Sequence, residues 1–171
     1  TSWNYQKSFG GGMIFDMVPH WRYVVEELIG PIKQVVASSW TAQEKRADEF
    51  GSIFQVDVED SCSIIVELEN GVFGTVISSW AQRVPGDDLV KLQIDGTLGS
   101  AVNGLRACKT QSLSDTPSIS GFNLGAYSDN SGKQINYKEN WIEVPEIAPY
   151  INPYRLGWEQ FLSHVLGDTP M

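Results

Sequence analysis

From Met13 to Ile29, apolar residues recur at three- and four-residue spacing: Met13, Met17, Trp21, Val24, Val25 and Leu28. The spacing predicts an amphipathic helix, entered through Gly10-Gly11-Gly12 and closed by the stop pair Gly30-Pro31. KQVVASSWT (33–41) then reads as a strand, and the polar AQEKRADEFGS (42–52) as a loop or short turn. The clearest alternation begins after Asp60. Cys62, Ile64, Val66 and Leu68 alternate with mostly polar residues, and Asn70-Gly71 supplies a two-residue hairpin turn into a return strand, Val72 to Trp80. Pro85-Gly86-Asp87-Asp88 reads as a loop, and LVKLQIDGTLGSAV (89–102) as a strand, a Gly-rich turn and the start of another strand. Residues 111–134, rich in Ser, Gly, Asn and Asp, form a long excursion. WIEVP (141–145) is an edge strand ended by proline. Pro145, Pro149 and Pro153 punctuate a connector, and a last helix starts at about Tyr154, with Leu156, Trp158, Phe161, Leu162, Val165 and Leu166 available for packing.

Helix, consecutive antiparallel strands, then helix is an α+β order. The expected fold is one domain over residues 1–171, an open, mainly antiparallel β-sheet with helices packed on one face. No strand–GxGxxG–helix unit and no GxxxxGK[ST] loop occurs, so the chain offers no nucleotide-binding fold of its own, and no internal repeat is found.

Composition narrows the function classes. With 42% hydrophobic and 19% charged residues the chain reads as a folded soluble protein, and its net charge of −9 argues against a nucleic-acid footprint or an anionic membrane surface as partner. No apolar run is long enough to span a bilayer. Cys62 and Cys108 lie far apart and read as two free thiols, which favours a reducing, cytoplasmic setting. A chain that begins at Thr1 reads as a fragment or a processed product.

The predicted first helix raises the chemical question, because it carries Asp16 and His20. At about 100° per residue, His20, Tyr23 and Glu27 fall within about 40° of Asp16, at one edge of the apolar stripe. An edge residue is held by packing and still meets a ligand. Four-residue spacing lets Asp16 touch His20, and a carboxylate beside an imidazole orients it and favours its charged form, which suits proton transfer to or from an alcohol. A solvated face is the plain alternative. Pro19 either kinks the helix or sits in its first turn, and in the second case Asp16 would simply satisfy free amides. A metal site would need a third ligand, and His164 is the only other histidine. Three consecutive glycines without lysine or strand context make a poor phosphate cradle.

GGGMIFDMVPH resembles the GGG-x-x-x-D-x-x-x-H segment of the Gfo/Idh/MocA oxidoreductases. VEDSCSIIVELENGVFGTVISSW is similar to that family's strand–Asn-Gly–strand hairpin ending in Ser-Trp, IDGTLGSAV to its Gly-Thr-x-Gly turn, and PYRLGWEQFLSHV to its closing helix. The resemblance implies the second domain of a two-domain enzyme, whose first domain, absent here with its Glu-Lys-Pro lysine, binds NAD or NADP. It implies His20 as acid/base on the reacting hydroxyl, Asp16 as substrate or orienting residue, and hydride transfer to or from a sugar- or polyol-type carbinol. Tyr23 stands where the family often has an acidic residue, and Trp80, Arg83 and Tyr154 are candidate substrate contacts, with core packing, surface charge and helix stapling as their plain alternatives. A homo-oligomer assembled through the sheet, no cofactor bound by this chain alone and no metal complete the expectation. The alternative is a non-catalytic binding or assembly module that keeps the same sheet.

Overall fold

A computed structural model describes residues 3–84, 86, 88–116, 139–146 and 151–167. Most of the expected 111–134 excursion, part of the 85–88 loop, and Pro149 lie outside the described residues. The fold is α+β, and every strand pairing among the described residues is antiparallel. The chain divides into two units, Thr1–Arg83 and Val84–Met171.

The first unit opens with two short 3-10 turns, Trp3–Tyr5 and Lys7–Phe9, and then two helices, α1 (Met13–Asp16) and α2 (Val18–Leu28). The expected single helix breaks at Met17. Pro19 has no N–H to donate to the Phe15 carbonyl, so the helical ladder stops and restarts, and Pro19 occupies the first turn of α2, where its missing N–H costs nothing. Strands β1 (Ile32–Trp40), β4 (Ser61–Leu68) and β5 (Phe73–Ser79) form a three-stranded sheet in the order β1-β4-β5. The alternation in β4 is borne out: Cys62, Ile64, Val66 and Leu68 are all buried. They meet Met13 and Val25 from the helices, with Met17, Val18, Ile29, Ile32, Val76 and Trp80 packed around them. Each such side chain contributes roughly 1.5–3 kcal/mol by leaving water. Trp21 Nε1 donates to Ser78 Oγ at 3.0 Å, and Ser78 Oγ in turn donates to Met13 Sδ, which fastens both helices to β5.

Two further details of this unit differ from expectation. The polar stretch 42–52 contains β2 (Lys45–Ala47), which pairs with β3 (Ile53–Gln55) in a separate two-stranded hairpin. Asp48 makes its turn by accepting from the amides of Phe50 and Ser52. The Asn70-Gly71 turn has three loop residues rather than two. Leu68 N donates to Val72 O and Gly71 N to Leu68 O, with Gly71 alone at positive φ (82°). A two-residue type I′ turn needs both central residues at positive φ, and Asn70 does not adopt it. The Asn70 side chain instead accepts from Val72 N and donates to Ile29 O at the end of α2, tying the turn to the helix.

In the second unit, β6 (Leu92–Gly96), β7 (Gly99–Asn103), β8 (Cys108–Ser112) and β9 (Ile142–Glu143) form a four-stranded meander in chain order. β9 is the expected edge strand, while β8 lies where no strand was expected. A Cβ on Gly99 would stand 2.5 Å from Gln111 O, so the glycine lets β8 approach. The closing helix α3 (Pro153–Val165) starts one residue before the expected Tyr154, because Asn152 caps it by accepting from Tyr154 N at 2.9 Å. No helix among the described residues is long and apolar enough to cross a membrane.

Candidate active site

The site is built on the Gly10–Gly12 entry. Gly11 and Gly12 are buried. A Cβ on Gly11 would stand 2.5 Å from the carbonyl oxygens of Trp3 and Asn4, and Gly12, at φ 126°, would drive one to 2.5 Å from Glu59 Oε1. The glycines are there so that the N-terminal turn and the 57–60 segment can close on the start of α1. Gly12 N donates to Asn4 O, Met13 N to Glu59 O, and Ile14 N to Glu59 Oε1. The free amides at the start of α1 are thus capped by Glu59, a carboxylate suitably placed at a helix N-terminus. Asp16, the last residue of α1, does not serve as that cap.

Asp16 is half-buried, and its Oδ2 accepts from Asn4 Nδ2 at 2.7 Å. His20 is exposed in the first turn of α2, where its backbone N–H donates to Met17 O. The contact expected between Asp16 and His20 is not formed: no hydrogen bond or ion pair joins them. Four-residue contact presumes one continuous helix, and the interruption at Met17 between α1 and α2 removes that premise. What remains is a carboxylate held by an amide and, across the helix break, an exposed imidazole, which can give or take a proton. Tyr23 stands exposed on α2.

The other expected residues are placed differently. Trp80 is partly buried against the core, and its indole meets the Tyr5 ring edge-on at 5.4 Å. Its backbone N–H donates to Asp60 O, and its carbonyl accepts from Arg46. Packing accounts for these contacts. Arg83 is exposed at the end of the first unit, and Tyr154 is exposed on α3 in the second. Among the described residues, no group of three or more His, Cys, Asp and Glu could hold a metal ion.

Beneath the site lies a polar knot that local sequence patterns did not reveal. Asp60 is fully buried and accepts from Ala42 N, Gln43 N, Ser61 Oγ and Arg46 Nη2. The Arg46 guanidinium lies 4.4 Å from the Tyr5 ring centroid. Burial pushes the Asp60 carboxyl up, but the bonds from Ala42, Ser61, Arg46 and Gln43 together outweigh it and hold the group below the usual carboxylate range. Asn4 and Glu59 were also missed. Each acts across a long stretch of chain, Asn4 on Asp16 and Glu59 on Ile14, so no local motif marks them; the glycine run was the one signal that something must approach closely.

With the fold and site in view, the class of protein is defined: the chain belongs to the Gfo/Idh/MocA oxidoreductase family, whose C-terminal domain matches residues 1–102. It is 40% identical to the D-xylose dehydrogenase of Paenarthrobacter nicotinovorans, over 96% of this chain and 42% of that protein. The chain therefore spans less than half the length of this relative. Its fold is similar to levoglucosan dehydrogenase solved with NADH and levoglucosan (TM-score 0.66, 22% identity, 99% of this chain and 45% of that one). It is also similar to an NAD-binding protein from Listeria innocua (TM-score 0.58, 16% identity, 99% of this chain and 46% of that one).

Proposed function

We propose that this chain is the substrate-binding and oligomerisation domain of an NAD(P)-dependent oxidoreductase acting on a sugar- or polyol-type carbinol. The observation that carries the reading is the Asp-x-x-x-His pair of Asp16 and His20, set at the helix break of a family member whose 40%-identical relative is a D-xylose dehydrogenase. In this reading His20, open at the surface, exchanges the proton of the reacting hydroxyl. Asp16, fixed through one oxygen, accepts a hydrogen bond from a neighbouring substrate hydroxyl through the other. Tyr23 and Arg83 are the exposed side chains of the same unit left to contact substrate, while Trp80 packs against the core and the Tyr5 ring.

The residues present do not fit a dinucleotide. Of the three glycines that could have cradled a pyrophosphate, Gly11 is closed off by the carbonyls of Trp3 and Asn4 and Gly12 by Glu59, which also caps the amides at the start of α1. NAD or NADP therefore falls to the part of the enzyme outside this chain. Calorimetric titration of the isolated chain with NAD and NADP should show no saturable heat, while the full-length protein should oxidise aldoses or polyols with one of them. Micromolar cofactor binding by the isolated chain would overturn the division of labour.

The oligomer is assigned to the sheet face turned away from α1 and α2. Val36, Ile65, Phe73 and Ile77 stand on it, all more than half exposed, and an apolar face of this kind normally marks a contact surface.

A further inference from the structure

We propose that Asn4 is a positioning residue for Asp16, setting the orientation of its carboxylate toward substrate. The inference rests on the reading of Asp16 as a substrate contact.

Asn4 holds α1 at both ends. Its backbone oxygen accepts from Gly12 N at 2.9 Å, immediately before the helix, and its side-chain Nδ2 donates to Asp16 Oδ2 at 2.7 Å, at the helix's last residue. The backbone half of this grip is tight. Gln6 N donates to Trp3 O and Gly11 N to Gln6 O, closing the N-terminal turn, and Gly11 has no room for a Cβ against Asn4 O. The amide therefore reaches Asp16 from a fixed point.

The side-chain half matters because α1 is a single four-residue turn followed by a break. A carboxylate at such an end has no helical neighbour four residues on to restrain it, and His20 makes no bond to it. An amide suits this position. It donates without carrying charge, so it holds Oδ2 without neutralising the carboxylate, and it leaves Oδ1 to accept from a hydroxyl. A sugar or polyol offers adjacent hydroxyls whose identity is read by the direction of such acceptors, so Asn4 acts on which substrate is held and how.

The test is a double-mutant cycle on the full-length enzyme. Asn4→Ala removes the donor. Asn4→Asp keeps the shape, removes the donor and sets a second carboxylate beside the first. Each variant is combined with Asp16→Ala, and kcat and KM are measured separately. The expected result is a loss in kcat/KM of about tenfold for Asn4→Ala, the scale of a hydrogen bond to a charged group, and a larger loss for Asn4→Asp. In the Asp16→Ala background the same changes should alter the rate by no more than about twofold. Equal losses in both backgrounds would show a structural role only and overturn the proposal, as would an Asn4→Asp enzyme with the parent rate. If Asp16→Ala alone leaves the rate intact, the reading of the site fails, and the role of Asn4 fails with it. That signature is distinct from additive losses.

Discussion

Arg46 Nη2 donates to Asp60 Oδ2 at 3.1 Å, and the carboxylate it meets has no exposed surface. A buried ion that loses its partner is costly, so Arg46→Ala should lower the unfolding free energy by about 3 kcal/mol. Ala42 N, Gln43 N and Ser61 Oγ still hold the carboxylate, which keeps the loss at the low end of the range for a broken buried pair. Denaturant melts of the two proteins measure the difference.

The same aspartate gives a pH dependence of known sign. Its carboxyl lies below its ordinary value of 3.8 in the folded state, so its contribution is complete above that value and is lost as pH falls through the lower folded-state value. Melting temperature should therefore fall as pH drops below about 4, where Asp60 takes up its proton more readily in the unfolded chain than in the folded one. In Asp60→Asn, which has no proton to gain, this part of the profile should flatten. An unchanged acid limb would remove Asp60 as its source.

The glycine run should respond position by position. Gly11→Ala places a methyl 2.5 Å from two backbone oxygens that cannot swing aside, and should cost about 1–3 kcal/mol. Gly10→Ala meets nothing, but must hold φ near 75°, at about 1 kcal/mol. Because Gly11 seats the carbonyl of Asn4, Gly11→Ala should also lower activity of the full-length enzyme, whereas Gly10→Ala should leave the rate near that of the parent. Paired melts and rates on the two variants test the order.

If the outer sheet face carries the oligomer, a charge at its centre should break it. Ile65 lies opposite Val36 on one neighbouring strand and Thr75 on the other. Ile65→Asp should convert the full-length assembly to smaller species in light scattering, with its helical circular dichroism retained. An assembly unchanged in mass would move the interface elsewhere.

The sequence disclosed those features that repeat locally. The period-two burial of β4 and the start of α3, to within one residue, follow from a few neighbouring residues, and both were legible, whereas the Asn152 cap was not read. The helix break was half legible: Pro19 announced it, but whether the proline kinked one helix or opened a second depended on Met17 and the core beneath it. The Asp16–His20 contact was lost for the same reason, since a wheel assumes the helix it is drawn on. β2 was hidden because a three-residue strand has too few positions to show alternation, and its key side chain, Arg46, is charged. Its partner Asp60 is also charged, and a buried pair formed across fourteen residues leaves no periodic trace. Asn4 and Glu59 belong to the same class of tertiary contact.

The central claim is that His20 moves the proton of the reacting hydroxyl. The most direct measurement is the steady-state turnover of the full-length His20→Ala enzyme, with a thermal melt alongside. Because His20 is exposed in the first turn of α2, the melt should stay within a few degrees of the parent. Turnover should fall by about a hundredfold to ten-thousandfold, the range for a lost general acid/base. A folded His20→Ala enzyme with undiminished turnover would contradict the assignment and leave the non-catalytic assembly module as the better account.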